Sequence, residues 1–289
     1  MDERSALAAL ARTVDGAGDD AAVIDGLVLT TDMLHERTDF PAGVSRYTAG
    51  WRAIGASLSD VAAMGGEATA AVAAYGAPAF DPDEIDAFVG GATDVCETVG
   101  ARYVGGDLDD HDEFTVAGAV VGRVADPVYR HGATPGDGVY VTGTLGRTAA
   151  AIREFAAGNA DRGNALFRFE PRVAAGRALV SVATAMMDSS DGLARSLHQL
   201  AAASDCGFDV SWDRLPVDES VDAVADTGTE RRELATFFGE DFELVFTAPP
   251  AELEAVRDSV SVPVTRIGRV TTADVVADGE ALPDRGYGH

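Results

Sequence analysis

Aspartate recurs beside Gly, Ser and Thr in six short patches: Gly18-Asp19-Asp20, Thr30-Thr31-Asp32, Ser57-Leu58-Ser59-Asp60, Gly105-Gly106-Asp107, Asp188-Ser189-Ser190-Asp191-Gly192 and Gly239-Glu240-Asp241. Small neighbours let backbone and carboxylates close around a hard cation and a polyphosphate, both of which need oxygen ligands at short range. The chemistry suggested is a Mg²⁺–nucleotide site. Each patch alone also has a plainer reading. Gly18-Asp19-Asp20 is equally a solvent-facing turn, Asp60 an exposed helical acid, and Ser190-Asp191 a helix cap; a helix N-terminus that is capped can also bind an anion. Arg130 is the basic residue best placed for a phosphate, although a lone loop arginine is also an ordinary surface charge. What surface acidity does not readily produce is the recurrence of such patches at strand ends and helix starts.

The elements that must position them follow from periodicity. Residues 1–13 read as a helix, and Leu27 to Thr31 as a short strand delivering Asp32 at its end, where ligand sites collect. Apolar positions at helical spacing over 45–65 (Trp51, Ile54, Leu58, Val61, Met64) place Ser57 and Asp60 one turn apart, and Gly65-Gly66 stops that helix. Ala68 to Tyr75 reads as a strand and Asp81 to Val99 as a helix with Asp81 as cap and Pro82 first. Arg102 to Val104 reads as a strand ending in Gly105-Gly106-Asp107, and Phe114 to Val124 as another. Pro127 to Gly138 is the best domain joint. Beyond it, Val139 to Thr142 is a strand, Gly143 and Gly146 open a helix to about Ala157, and Ser190-Asp191 cap a helix over 193–204. Phe242 to Phe246 alternates as a strand, and Val264 to Val270 is the last. The expected class is α+β with two α/β domains, residues 1–135 and 136–289, rather than one doubly wound sheet.

Composition limits the function further. The 289 residues suffice for two domains of about 100–200 residues each. Acids number 48 against 22 bases, a net charge of −26, and every base is arginine. Such a field repels nucleic acid and anionic membranes, and suits a cytoplasm of molar salt where the Debye length falls to about 3 Å. Without lysine, a Walker A loop, a protein-kinase strand lysine and Schiff-base chemistry are all excluded. Metal ions and arginine must therefore neutralise any phosphates. Cys96 and Cys206 lack C-x-x-C spacing and read as buried thiols. His35, His131, His198 and His289 show no metal spacing, and Trp51 and Trp212 read as core. No targeting segment or apolar stretch of the roughly 20 residues needed to span a bilayer is present, so a cytoplasmic location is expected.

Seven motifs in order resemble thiamine-monophosphate kinase, within the superfamily of aminoimidazole-ribonucleotide synthetase and selenophosphate synthetase. They are Gly18-Asp19-Asp20-Ala21-Ala22, Thr30-Thr31-Asp32-Met33-Leu34, Leu58 to Gly66, Gly105-Gly106-Asp107, Tyr140 to Gly146, Asp188 to Leu193 and Gly239 to Leu244. The resemblance implies a homodimer, joined through the N-terminal sheet domain, that binds ATP and several Mg²⁺ between its domains. It implies that Asp20, Thr30, Thr31, Asp32, Asp60, Asp107, Asp188 and Asp191 hold metals. Gly106, Asp107, Arg130 and Ser190 would contact ATP, and Asp39, Glu240 and Tyr287 the thiamine monophosphate. Asp39 stands where bacterial members carry a substrate-contacting His, with Arg37 as the alternative contact, and Leu108 stands where a Thr usually follows Gly-Gly-Asp. The implied reaction forms thiamine diphosphate by direct in-line transfer, without a general base because the acceptor oxygen is already anionic.

Rival readings differ in residues. A selenophosphate synthetase needs an N-terminal reactive Cys and a Lys, and a hydrogenase-maturation relative a C-terminal Cys. Aminoimidazole-ribonucleotide synthetase shares ATP use and much of the metal site, and remains the alternative. A non-catalytic Mg²⁺- or Ca²⁺-binding protein would be expected to show a D-x-D-x-D-G loop, which is missing.

Overall fold

The structure, a computed structural model, describes residues 13–14 and 17–287. The helix expected over 1–13 therefore lies almost wholly outside the described residues, as does His289.

Residues up to Arg123 build a five-stranded sheet of order β1-β2-β5-β3-β4: β1 (Ala22–Ile24), β2 (Leu27–His35), β3 (Glu67–Ala77), β4 (Arg102–Asp110) and β5 (Thr115–Arg123). A single-turn helix, α1 (Glu36–Asp39), follows β2; α2 (Arg46–Ala63) and α3 (Pro82–Thr98) cover one face of the sheet. Val28, Thr30 and Leu34 are buried on that face, whereas Leu29 and Met33 alternate onto the other and are exposed. The face turned away from α2 has no covering element among the described residues.

Two predicted boundaries were short. β2 continues through Asp32 to His35, and β4 through Gly106-Asp107 to Asp110, so both acids sit within strands. Pairing along β2–β5 and β3–β4 overrides the low strand propensity of Gly and Asp. As expected, α2 stops before Gly65-Gly66, and Asp81 caps α3 by accepting from the Asp83 and Glu84 N–H groups.

Fourteen of the eighteen α2 residues are buried, so this helix is enclosed rather than amphipathic. Glycine permits the enclosure. A Cβ on Gly50 would lie 2.1 Å from the Phe88 carbonyl oxygen, and one on Gly91 would lie 1.9 Å from that of Tyr47. Gly50→Ala is expected to cost about 3 kcal/mol or more in urea denaturation, because two helix backbones must separate to admit one methyl. A cost below about 1 kcal/mol would contradict the close α2–α3 crossing.

The remaining strands form a seven-stranded sheet of order β12-β11-β8-β10-β6-β9-β7: β6 (Gly138–Thr142), β7 (Ala185–Asp188), β8 (Gly207–Val210), β9 (Leu244–Ala248), β10 (Val264–Thr271), β11 (Val276–Ala277) and β12 (Glu280–Ala281). Every residue of β6, β7 and β9 is buried. Around this sheet lie α4 (Arg147–Ala156), α5 (Ala160–Phe167), α6 (Val173–Leu179), α7 (Leu193–Ser204), α8 (Glu219–Asp222), α9 (Gly228–Phe237) and α10 (Pro250–Val256). α7 matches its predicted span, but Gly192 precedes it without a side-chain cap, so Ser190 and Asp191 do not cap it. The strand expected from Phe242 starts at Leu244, since Phe242 takes a positive φ of 53°. Val264 to Thr271 is followed by two further short strands. No helix of the described residues is long and apolar enough to cross a membrane.

Candidate active site

Three acids from distant stretches meet where the two sheets approach. Asp20 lies in the loop before β1, Asp60 on α2 and Asp188 at the end of β7, and one oxygen from each falls within 4.8 Å of the others. Thr30 Oγ1 donates to Asp60 Oδ2, and Ser57 Oγ donates to Asp32 Oδ2 at 2.6 Å, which brings β2 into the group. Arg130 Nε and Nη2 donate to Asp20 at 3.2 and 3.0 Å, and the Arg130 N–H donates to Asp19 at 2.7 Å. The joint arginine expected at a phosphate is thus seated at the edge of the carboxylate cluster.

Electrostatics mark this cluster as incomplete. Asp188 is 1% exposed, and its Oδ2 has no partner in good hydrogen-bond geometry, although the Ser59 hydroxyl lies near enough to favour the charged carboxylate slightly. Burial, reinforced by the Asp20 charge, pushes its carboxyl up to about 7. Burial and then the charges of Asp32 and Asp188 also raise Asp60 well above the ordinary carboxylate range. Four carboxylates against one guanidinium, with a buried oxygen unpaired, form a donor set suited to a hard divalent cation.

The other predicted ligands are placed differently. Thr31 Oγ1 donates to the Gly118 carbonyl at 2.8 Å, on the sheet face away from Asp32. Asp32 pairs with Gly118, Gly118 with Ala73 and Ala73 with Gly106, so Gly106 lies three strands from Asp32, about 14 Å. Asp107 is exposed beside it, its Oδ1 accepting from the Leu108 N–H. A cavity of about 380 Å³ lined by Tyr75, Phe88, Tyr103 and Leu108 opens at Gly105-Gly106-Asp107. A Cβ on Gly106 would lie 1.8 Å from the Ala73 carbonyl oxygen, so only glycine fits this edge.

A second pole lies around the Gly239-Glu240-Asp241 loop. Arg52 of α2, 3% exposed, donates to Glu240 Oε2 at 3.0 Å and to the Phe167 carbonyl at 2.6 Å. Asp39 is buried and accepts from the His35 N–H and Thr38 Oγ1. Tyr287 Oη donates to the Thr38 carbonyl at 3.4 Å, and the Tyr287 N–H donates to the Asp191 carbonyl at 3.0 Å. All three predicted substrate residues therefore gather here. Arg37 instead carries an exposed side chain beside Glu113. The Glu240 N–H donates to the Ser190 carbonyl at 2.6 Å and links this pole to the Asp188–Asp191 loop.

Sequence reading missed the scaffold beneath these poles. Asp241 accepts from the N–H groups of Gly146 and Thr148 at 2.5 and 2.9 Å, closing the start of α4. Glu243 accepts a bidentate pair from Arg172 at 2.7 and 2.6 Å and a bond from Thr142 Oγ1 at 2.6 Å. The available signal was the run of three acids in 240–243, too many for a loop that enters a buried strand.

Burial pushes Asp241 up to about 7, against the lowering effect of its two backbone donors. A carboxyl raised in the folded state contributes stability that is complete below about pH 4 and lost as pH rises towards about 7. The urea midpoint is therefore expected to fall across that window, and the difference from Asp241→Asn isolates this group. Identical slopes in the two proteins would contradict it.

Comparison with known proteins decides the family. Residues 18–124 match the model for the AIR synthase related protein N-terminal domain, and 134–278 that for its C-terminal domain. A thiamine-monophosphate kinase of Halobacterium salinarum is 60% identical, with 100% of both chains covered. The chain belongs to the thiamine-monophosphate kinase family. A second thiamine-monophosphate kinase, from Methanospirillum hungatei, is 40% identical over 100% of this chain and 99% of its own. The solved structure of AaThiL complexed with AMPPCP and TMP superimposes with a TM-score of 0.89 at 27% identity, covering 99% of this chain and 96% of that one. The expected α+β class and two-part kinase architecture agree with these matches.

Proposed function

We propose that this chain transfers the γ-phosphoryl group of ATP to thiamine monophosphate, giving thiamine diphosphate and ADP. The observation that carries this reading is the convergence of Asp20, Asp60 and Asp188 on one point, within a full-length match to the kinase family. The unpartnered Asp188 Oδ2 and the all-oxygen donor set fit Mg²⁺. Asp20, Thr30, Asp32, Asp60 and Asp188 would hold it, and Asp191, on the loop that leaves Asp188, is the remaining proposed ligand of the Asp188 to Leu193 motif. Bound there, the cation supplies positive charge to the phosphoryl oxygens of both anions.

The residues of the chain do the rest. Two unit charges at about 4 Å repel by roughly 4 kcal/mol at an effective dielectric near 20, so approach of the two phosphates is the obstacle. Arg130, anchored on Asp20, adds fixed positive charge at the cluster, and Ser190 lies on the loop joining the cluster to Glu240. The acceptor phosphate oxygen is anionic near neutral pH, so no side chain has to remove a proton. Asp39, Glu240 and Tyr287 hold the rest of the acceptor, so that its phosphate meets the γ-phosphoryl in line. The cavity at Gly105-Gly106-Asp107 has room for a nucleobase, with Asp107 at its mouth.

We also infer a homodimer. β1 pairs with β2 only over Leu27–Leu29, leaving the outer edge of 30–35 without a strand partner among the described residues, and β4 is the other edge. Leu29, Met33, Val72 and Val104 are 42–59% exposed on the uncovered face, an unusual apolar surface for a strongly acidic chain. Two copies could pair β4 of one along β2 of the other. That arrangement would bring Gly106 and Asp107 of the second copy to the edge formed by Thr30, Thr31 and Asp32, with Asp107 entering from the Thr31 face.

Incubation with ATP, Mg²⁺ and thiamine monophosphate at high KCl, with products separated chromatographically, tests the activity. Thiamine diphosphate and ADP in equal amounts are expected. Failure to form thiamine diphosphate under these conditions would overturn the proposal.

A further inference from the structure

Arg52 is the one charged residue between Arg46 and Asp60 on a helix whose other buried positions are Ala, Gly, Ile, Leu, Val, Ser and Thr. Its Cζ lies 3.7 Å from the Phe167 ring centroid, 5.4 Å from that of Phe169 and 5.6 Å from that of Phe242. Phe169 and Phe242 stack at 4.2 Å. A methionine would pack as well among three phenyl rings, and removing a buried charge with its partner is often neutral for stability. Apolar packing therefore does not explain the arginine, and its bond to the Phe167 carbonyl occupies Nη1 alone, leaving Nη2 to be accounted for.

Glu240 accounts for it. It adopts a φ of +57° and Phe242 one of +53°, conformations that side-chain-bearing residues rarely take. Its backbone is pinned on both sides: the N–H to the Ser190 carbonyl, and the carbonyl to Thr148 Oγ1 at 2.7 Å. Arg52 fixes the carboxylate. Such over-determined strain collects at binding sites. The charges of Glu240 and Asp39 also reach Tyr287: burial, then these two acids, hold its hydroxyl proton up to about 12. The pole thus sets two buried acids, Glu240 paired with Arg52 and Asp39 accepting from the His35 N–H and Thr38 Oγ1, for a net charge of −1 over Arg52, Glu240 and Asp39, beside the Tyr287 ring, which packs on Phe238 with centroids 5.4 Å apart.

Acids next to an aromatic ring repel phosphate and attract a flat cation. Along α2, Arg52 and Asp60 are eight residues apart, about 12 Å. One rigid helix therefore sets the spacing between an anionic pole and the metal cluster. We propose that Arg52 is a positioning residue that fixes Glu240 beside Asp39 and Tyr287 to receive the cationic heteroaromatic ring of the acceptor, selecting phosphate esters of such rings over neutral ones. This rests on the acceptor being thiamine monophosphate.

Unphosphorylated thiamine, titrated by calorimetry without ATP or Mg²⁺, tests the pole separately from the reaction. Arg52→Met is expected to weaken thiamine binding about tenfold or more, and Arg52→Lys to stay within about threefold of wild type. The paired variant R52M/E240Q, which leaves no orphaned charge and is checked by thermal melting, should bind no better than R52M. In turnover, R52M should raise KM for thiamine monophosphate about tenfold, with KM for ATP moving less than about threefold and kcat falling by less than KM rises. Wild-type-like thiamine binding by folded R52M/E240Q, no thiamine binding by the wild type, or equal rises in both KM values would overturn the proposal. Thiamine binding lost in R52M without any thiamine diphosphate formed by wild type would leave the pole standing and remove the reaction.

Discussion

Asp188→Asn should lower turnover about a thousandfold while making the metal-free protein more stable. The two effects have one origin. At 4.8 Å, two carboxylates repel by roughly 3 kcal/mol at an effective dielectric near 20, and Asp188 is buried against Asp20 and Asp60 with one oxygen unpartnered. Neutralising it relieves that repulsion, for an expected gain of about 1–3 kcal/mol in urea denaturation at pH 8. The same change removes a donor from the proposed cation site, so Mg²⁺ should raise Tm in wild type and hardly at all in the variant. A variant that loses stability, or keeps more than about a tenth of its turnover at saturating Mg²⁺ and high KCl, would show that Asp188 is structural.

The second large effect concerns Asp107. Within one chain it lies on the β4 edge, exposed, on the sheet face opposite Asp32 and three strands away. Asp107→Asn should lower turnover by orders of magnitude without unfolding the protein. If its carboxylate acts across a two-fold interface, refolding D107N together with D188N should restore activity, because half of the dimers are mixed and each has one intact composite site. The expected recovery is about a quarter of wild type. No recovery from two separately inactive, folded proteins would place Asp107 in its own chain's site and remove the argument for closure of β4 on β2.

Much of the site was legible because its chemistry is carried by short motifs. Asp20, Asp60 and Asp188 were each picked out by Gly, Ser or Thr neighbours, and the helices carrying Asp60 and following Asp188 were bounded by Gly65-Gly66 and by periodicity. Strand ends were less legible. Asp32 and Asp107 looked like terminal residues because Asp and Gly disfavour strands locally, yet partner strands on one or both sides carried β2 and β4 past them. The cap expected from Ser190-Asp191 failed because the residue at the cap position is Gly192, at φ 98° and without a side chain, while tertiary bonds from Glu240 and Tyr287 hold the Ser190 and Asp191 carbonyls outside the helix.

The structural roles of Arg52, Asp241 and Glu243 were hidden for a different reason. Their roles are fixed by partners 188, 95 and 71 residues away, to Glu240, Gly146 and Arg172 respectively. The chain alone marked which residues have the chemistry to bind a divalent cation and a phosphate, excluded every lysine-based mechanism and placed four of the ten α-helices of the described residues, those with the clearest periodicity or end signals. Only the tertiary structure decided which acids share one point, which face of the first sheet stays open, and which arginine is buried against Glu240. Those outcomes depend on strand register and helix packing between distant segments, and no local window of residues contains that information.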